Sequence, residues 1–319
     1  MCMCGILGLF NVESASQKAK EALKAIKNRG RDGYGIADAI DFDYQIGSQA
    51  KIDHLKLHAK DSKDVIGHCL HSVVSFVPQP LVDEKTKNRF IVNCEIYNWK
   101  ELNEKYHFSA RNDAELLFRL IEKKGKTSRQ LISTLDEIDG VYAFAFWNAK
   151  KNLVSVARDI IGEKPLCFSL SAFTNNPSST STNASSKVSP PQFAFSSEGK
   201  ALRSIGFSNI QELNPRKLLV YNTKTKKLKQ FNRPFFKLTP LNTKPYELIK
   251  KETLGLITSA ISKRIPDQQI GILFSGGIDS MFIAFMCKKL GLNPVLYTSV
   301  LDSKDSLLKA PSDLEWAEK

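Results

Sequence analysis

Met3-Cys4-Gly5-Ile6 constrains this chain more tightly than any other stretch. A cysteine that becomes the first residue of a protein carries a thiol nucleophile and a free α-amine together. The amine titrates near pKa ~7.7–8, so it can take the thiol's proton, directly or through a water, and nucleophile and base arrive in one residue. A plainer reading competes, in which Cys4 is a small buried residue opening a first strand from Gly5 to Phe10. A peptide-bonded nitrogen cannot act as the base. The chemical reading therefore expects initiation at Met3 with methionine removal, leaving Cys2 outside the active protein. Starting at Cys2 would push the thiol out of register, since each extended residue adds ~3.3 Å.

A length of 319 residues points to two domains. Hydrophobic content of 42% with 25% charged residues excludes a disordered or fibrous chain. No apolar run is long enough for a membrane span, and the start lacks a secretory signal, so the expected location is cytoplasmic with no membrane partner. Six cysteines without paired spacing read as reduced thiols rather than a zinc site or disulfide framework. The net charge of +13 raises the question of nucleic acid. The lysines are scattered, however, and their densest cluster, Lys224, Lys226, Lys227 and Lys229, follows a turn-like Asn222-Thr223. That cluster reads as a solvated hairpin, and no nucleic-acid partner is expected.

Apolar spacing predicts a helix from Ser14 to Asn28, with Ser14 as its cap. Arg29-Gly30-Arg31-Asp32-Gly33-Tyr34-Gly35 reads as a loop whose backbone takes unusual dihedrals or passes close to something. Val65 to Val77 is an apolar segment ended by Pro78-Gln79-Pro80-Leu81, and its His68 and His71 read as core or rim histidines rather than metal ligands. A strand from Arg89 to Ile96 runs into Asn93-Cys94-Glu95-Ile96-Tyr97-Asn98, where polar groups mark turn chemistry or a site. Asn112 with Glu115 forms a capping-box pattern opening a helix, and Asp113 suits the positive end of that helix. Strands at Val141–Trp147 and Leu153–Ala157 give an α+β order. Residues 174–191 are Ser, Thr, Asn and Pro almost throughout and read as a disordered insertion.

Later in the chain, Tyr246 to Ile265 is predicted as an amphipathic helix with a buried stripe of Leu248, Ile249, Leu254, Leu256, Ile257 and Ile261. Ile270 to Phe274 reads as a buried strand, Ser275-Gly276-Gly277-Ile278-Asp279-Ser280 as a loop, and Met281 to Leu290 as a helix. A second strand follows at Pro294 to Ser299. Strand, glycine-rich loop and helix make an anion-binding arrangement, with backbone amides and a helix N-terminus turned to phosphate. Asp279 would bring Mg²⁺. The G-K-[ST] ending of a Walker loop is absent. The loop instead resembles the pyrophosphate-binding S-G-G-x-D-S of ATP-pyrophosphatases.

Together these segments resemble glutamine-hydrolysing asparagine synthetase, which joins a class II glutamine amidotransferase domain to an ATP-pyrophosphatase domain. Cys4-Gly5-Ile6 matches the nucleophile motif, Arg29 to Gly35 the R-G-x-D-G-x-G loop, and Gln79-Pro80-Leu81 the Q-P-L. Asn93 to Asn98 is similar to N-G-E-I-Y-N, Asp113 falls in S-D-x-E, and Arg158-Asp159 with Gly162 to Leu166 matches A-R-D-x-x-G-x-K-P-L. The resemblance implies an N-terminal nucleophile hydrolase domain, an αββα sandwich, over residues 4–205. Closing strands and a linker over 206–245 would follow, then part of an α/β, Rossmann-like ATP-pyrophosphatase domain over 246–319. It further implies that Cys4 attacks the side-chain amide of glutamine while Asn93 and the Cys94 N–H hold the oxyanion. Glu95, Asp113, Gln79 and His71 would bind glutamine. ATP and Mg²⁺ would sit at Ser275, Gly276, Gly277, Asp279 and Ser280, with Asp279 on the metal, and aspartate would accept the ammonia.

Three departures qualify this. Leu70 stands where the family has the arginine that clamps the glutamine carboxylate, Cys94 replaces a glycine, and the later synthetase motifs are missing after Pro311 to Glu318. The expectation is a fragment, the product of a frameshifted gene, or one half of a split enzyme, working as a homodimer or with a complementing synthetase half. The alternatives are an amidotransferase serving another acceptor and a non-catalytic regulatory or assembly subunit.

Overall fold

The computed structural model describes residues 3–57, 62–72, 75–171, 191–237, 239–265 and 269–299, with Ala317. The predicted insertion, Pro191 excepted, lies outside the described residues, as do Met1, Cys2 and nearly all of the C-terminal motif. The chain divides into two compact units, Met1–Phe236 and Lys237–Lys319.

The first unit begins with β1 (Gly5–Phe10), α1 (Ala15–Ala25), β2 (Gly33–Ala37), β3 (Phe42–Ile46), β4 (Val65–Leu70), β5 (Leu81–Val82) and β6 (Arg89–Ile96). Helices α2 (Trp99–Lys105), α3 (Asp113–Lys124) and α4 (Ser128–Leu135) follow. Then come β7 (Gly140–Asn148), β8 (Leu153–Arg158), β9 (Cys167–Ser171), β10 (Gln192–Ser196), α5 (Gly199–Ser204), β11 (Gln211–Glu212), β12 (Lys217–Asn222) and β13 (Lys227–Asn232). They form one sheet of order β11-β9-β10-β1-β4-β2-β3 and another of order β13-β12-β8-β7-β6-β5.

Side-chain alternation explains why β1 is apolar throughout. Leu7 and Leu9 pack against Ala19, Ala22 and Leu23 of α1 and Leu202 of α5. Ile6 and Phe10 face the second sheet and meet Ile91, Trp147, Val156 and Tyr221. That sheet's opposite face, with Phe90, Val92 and Phe144, is covered by Leu117, Phe118 and Ile121 of α3 and Leu131 of α4.

Two local expectations change. Ser14 sits at the start of α1 in the left-handed region, φ 55°, and its side chain caps nothing. The glycine-rich segment read as a loop supplies strand β2, and its glycines are there for close approach rather than unusual dihedrals. A Cβ on Gly30 would fall 2.4 Å from the Leu70 carbonyl carbon, and one on Gly35 would fall 2.0 Å from the Gln79 oxygen. Asn112 does cap α3, accepting the Glu115 N–H at 2.9 Å, while Glu115 reaches back to the Arg111 N–H at 2.8 Å. The lysine cluster lies on the β12–β13 hairpin, where Asn222 pairs with Lys227.

The second unit holds α6 (Tyr246–Ser262), β14 (Gly271–Leu273), α7 (Ile278–Lys289) and β15 (Val295–Tyr297), with β14 and β15 parallel. The predicted buried stripe of α6 is corrected here, since no residue of that helix is buried. Within the expected buried strand, only Ile272 of β14 is buried. Among the described residues, no helix is long and apolar enough to cross a membrane.

Candidate active site

Strands β1 and β4 run antiparallel, Gly5 opposite Cys69 and Ile6 opposite His68, which sets the start of β1 beside the end of β4. There the Cys4 Sγ accepts the His71 N–H at 3.3 Å and donates to the His71 carbonyl oxygen at 3.4 Å. The Cys4 carbonyl accepts from Arg29 Nε at 3.0 Å, and Glu198 holds Arg29 from the other side at 3.0 Å. Desolvation pushes the Cys4 thiol up to about 11. The His71 N–H, Arg29 and Lys164 oppose that rise and the Asp113 carboxylate adds to it. Such a thiol is protonated at neutral pH and needs a base to become a nucleophile.

The second element is the end of β6. Ile91 faces the inter-sheet core and Val92 the outer one, so alternation turns Asn93 towards the first sheet and Cys94 towards α3. Asn93 is buried, and its Nδ2 has no hydrogen-bond partner among the described residues. An unpaired buried donor costs about 1–3 kcal/mol, so one retained in the fold calls for an explanation.

Strand β5 covers only Phe90 and Arg89 of β6, leaving the rest of that edge open. On the open edge the Val92 N–H donates to Gln79 Oε1 at 2.7 Å and the Ile96 N–H donates to Asp113 Oδ2 at 3.1 Å. The two-residue period of an antiparallel ladder puts the Cys94 N–H on the same edge, between them. Asp113 is buried at the first position of α3, and Oδ1 accepts the Ala114 N–H at 2.9 Å. Burial raises its pKa against these bonds. The Cys94 thiol donates to Asp113 Oδ2 at 3.5 Å, and burial, with Asp113 and Cys4 adding to it, holds that thiol well above its ordinary value.

Glu95 is half exposed, and its Oε1 pairs at 2.8 Å with the ammonium of Lys164, itself buried and 3.6 Å from Met3 Sδ. His71 lies at the rim, Nδ1 3.5 Å from Asp32 Oδ2, and Leu70 is buried beside it. Cys4, His71, Asn93, Cys94, Glu95 and Asp113 are thus carried by the adjoining ends of β1, β4, β6 and α3. Gln79, expected to bind substrate, gives its acceptor oxygen to the Val92 backbone. Lys164, Arg29 and Asp32 were not singled out from the sequence. The one available signal was their place in the R-G-x-D-G-x-G and G-x-K-P-L motifs, which gives each a position and no role.

In the second unit, Ser275 to Ser280 form a turn into α7, largely exposed apart from buried Gly276. Gly276 has φ +70°, the Gly277 N–H donates to Ser275 Oγ at 3.4 Å, and Ser280 Oγ donates to the Gly277 carbonyl at 2.9 Å. Asp279 lies in the first turn of α7, and no group of three or more metal-binding side chains occurs among the described residues. A lone carboxylate suits Mg²⁺ only where phosphate oxygens complete its shell.

A family model described as a glutamine amidotransferase domain matches residues 52–256. The chain is 29% identical to asparagine synthetase (glutamine-hydrolysing) 2 of Bacillus subtilis over 334 positions, covering 95% of this chain and 41% of that protein. It is 24% identical to asparagine synthetase B of Escherichia coli over 302 positions, covering 90% and 45% respectively. The chain spans about half the length of the curated relatives it matches. Among solved structures, a glutamine phosphoribosylpyrophosphate amidotransferase from Bacillus subtilis complexed with ADP and GMP superposes with a TM-score of 0.56. It is 17% identical over 98% of this chain and 70% of that one, a likeness of fold alone.

Proposed function

This chain belongs to the glutamine amidotransferase domain family, class II, related to the asparagine synthetases and with an N-terminal nucleophile hydrolase-like fold, and on that premise we propose that Cys4 is the nucleophile of a glutaminase. The observation that carries the proposal is the buried Asn93 Nδ2, a donor for which no described residue supplies an acceptor.

The Cys4 sulfur would attack the side-chain amide carbon of glutamine. Asn93 Nδ2 and the Cys94 N–H would hold the oxyanion that forms, a task worth ~3–4 kcal/mol per donor. Once processing exposes it, the Cys4 α-amine would take the thiol's proton and return it to the leaving ammonia. Water would then cleave the thioester to glutamate. Asp113 would pair with the substrate's α-ammonium, displacing the Cys94 thiol from Oδ2, and Glu95 would help to fix the same polar end. With Leu70 buried, His71 or another basic side chain would have to hold the substrate carboxylate.

The finer reading is ATP-dependent asparagine synthesis, with this chain contributing an αββα glutaminase layer structure and the start of an ATP-pyrophosphatase domain. Ser275, Gly276, Gly277 and Ser280 would cradle pyrophosphate, Asp279 would be the protein ligand of an accompanying Mg²⁺, and aspartate would accept the ammonia. The exposed apolar residues of α6, α7 and β15 would be covered by the rest of a synthetase domain. A non-catalytic role is the second reading, favoured by the Cys94 thiol lying on Asp113 and by the loss of the clamping arginine.

Ammonia release from glutamine without ATP tests the first reading. The chain processed to Cys4 is expected to be active and its Cys4→Ala variant at least about 1,000-fold slower. Equal rates would remove Cys4 from the mechanism, and an inactive processed chain would favour the non-catalytic role.

A further inference from the structure

Where β5 stops, the peptide at Val92 would leave a donor and an acceptor unpaired on the open edge of β6. Two side chains from different places close it. Gln79 Oε1 accepts the Val92 N–H at 2.7 Å, and His68 Nε2 meets the Val92 carbonyl at 3.1 Å. Both side chains are buried, His68 completely. A carbonyl can only accept, so Nε2 carries the His68 proton, and Nδ1 is a buried lone pair without a partner. Burial depresses the imidazole to about 4, so the ring stays neutral and this tautomer persists.

Val92 immediately precedes Asn93 and Cys94, the two groups given the oxyanion. His68 belongs to β4, opposite Ile6 of β1, and three residues further along β4's chain the His71 backbone holds the Cys4 sulfur. One strand therefore grips the nucleophile at its end and the segment carrying the oxyanion donors at its middle, although these lie in different sheets. We infer that His68 and Gln79 are positioning residues, a two-ended clamp on the Val92 peptide that fixes the Asn93 and Cys94 donors relative to Cys4. The inference rests on the glutaminase reading above. Both side chains act on substrate through the donors they position. The clamp acts through donors that matter most as charge develops, so its loss should appear in kcat and not in KM.

The test uses the full chain, processed to Cys4, with His68→Met and Gln79→Met, which keep volume and remove the donor and the acceptor. His68→Gln restores an N–H near the Nε2 position. Steady-state glutamine hydrolysis is expected to show kcat lowered about 30- to 100-fold in both methionine variants, of the order seen when reacting groups lose alignment. KM should stay within about twofold and His68→Gln within about fivefold of wild type. Iodoacetamide labelling of Cys4, which needs no oxyanion donor, should proceed at the wild-type rate in all of them. Variants that turn over like an active wild type, or a loss shared equally by His68→Gln, would overturn the clamp while leaving the glutaminase reading intact. A wild-type chain that releases no ammonia would instead overturn the reading beneath it. Should His68→Met not fold, Gln79→Met carries the test from the other end. Failure of both to fold would assign the pair to stability and overturn the inference.

Discussion

Helices α3 and α6 carry the same kind of apolar stripe and meet opposite ends. On α3, Leu116, Leu117, Leu120 and Ile121 are all buried. On α6 no side chain is buried, and Leu256 is 73% exposed. The strands repeat the contrast, since β6 runs between β7 and β5 under helices while among the described residues β14 pairs with β15 alone. A stripe at 3.6-residue spacing states which face needs a partner and says nothing about whether one is present. The candidate glutaminase lies wholly in the first unit, where that need is met. The phosphate-type loop lies in the second, where among the described residues it is not.

The largest effect expected from this contrast comes from placing a carboxylate on each stripe. Leu120→Asp puts an unpaired acid at a fully buried site and should cost more than about 4 kcal/mol, enough to unfold most single domains. Leu256→Asp on α6 should change stability by no more than about 0.5 kcal/mol and improve solubility. Urea unfolding followed by tryptophan fluorescence and by amide exchange in each unit measures both. A comparable cost at Leu256 would show that α6 is covered in solution, and the distinction between the two units would fall.

Much of the first unit was legible because its signals are local. The strand from Arg89 to Ile96 and the Asn112 cap need only alternation and a side-chain oxygen three residues from an N–H. The segment holding Gly33 and Gly35 reads as a loop because the reason for Gly35 is remote, the Gln79 carbonyl, whose approach no neighbouring residue announces. The α6 stripe was read correctly as a pattern and wrongly as buried. Within the site, Cys4, Asn93 and Asp113 were found through motifs. Lys164 and the His68–Gln79 pair act through contacts with β6 made from distant parts of the chain, and their motifs give each a position without that role.

A second difference between the units is pH. All five histidines precede residue 110, so none lies in the second unit. His68 is buried neutral, with its pKa depressed from 6.5 to about 4. Between those values the unfolded chain binds a proton that the folded one refuses. The stability that His68 contributes is therefore complete above pH 6.5 and lost as pH falls towards 4, about 3 kcal/mol in all. Asp113, whose pKa is raised, works in the opposite direction, because its protonation favours the folded form. Comparing wild type with His68→Gln at each pH isolates the histidine. The acid-induced loss should shrink by that amount in the first unit and be unchanged in the second. A His68→Gln chain with the wild-type acid profile would show that the imidazole is not buried neutral.

The smallest expected effect is the most discriminating, because one substitution should change sign between the units. Gly35 lies in β2 with the Gln79 carbonyl oxygen 2.0 Å from where a Cβ would stand. Backbone cannot swing aside as a side-chain end can, so Gly35→Ala should destabilise the first unit by about 2 kcal/mol. It should also disturb Gln79 and, through it, the Val92 peptide. Gly255 lies inside α6 with nothing within 4 Å of its would-be Cβ. There an added methyl meets no neighbour and removes glycine's excess backbone freedom, so Gly255→Ala should stabilise the helix by about 0.8 kcal/mol. In amide exchange this appears as roughly fourfold slower exchange across Tyr246–Ser262, with the first unit unaffected. Faster exchange in Gly255→Ala would mean that a partner occupies the space beside Gly255, and that the stripe of α6 is matched after all.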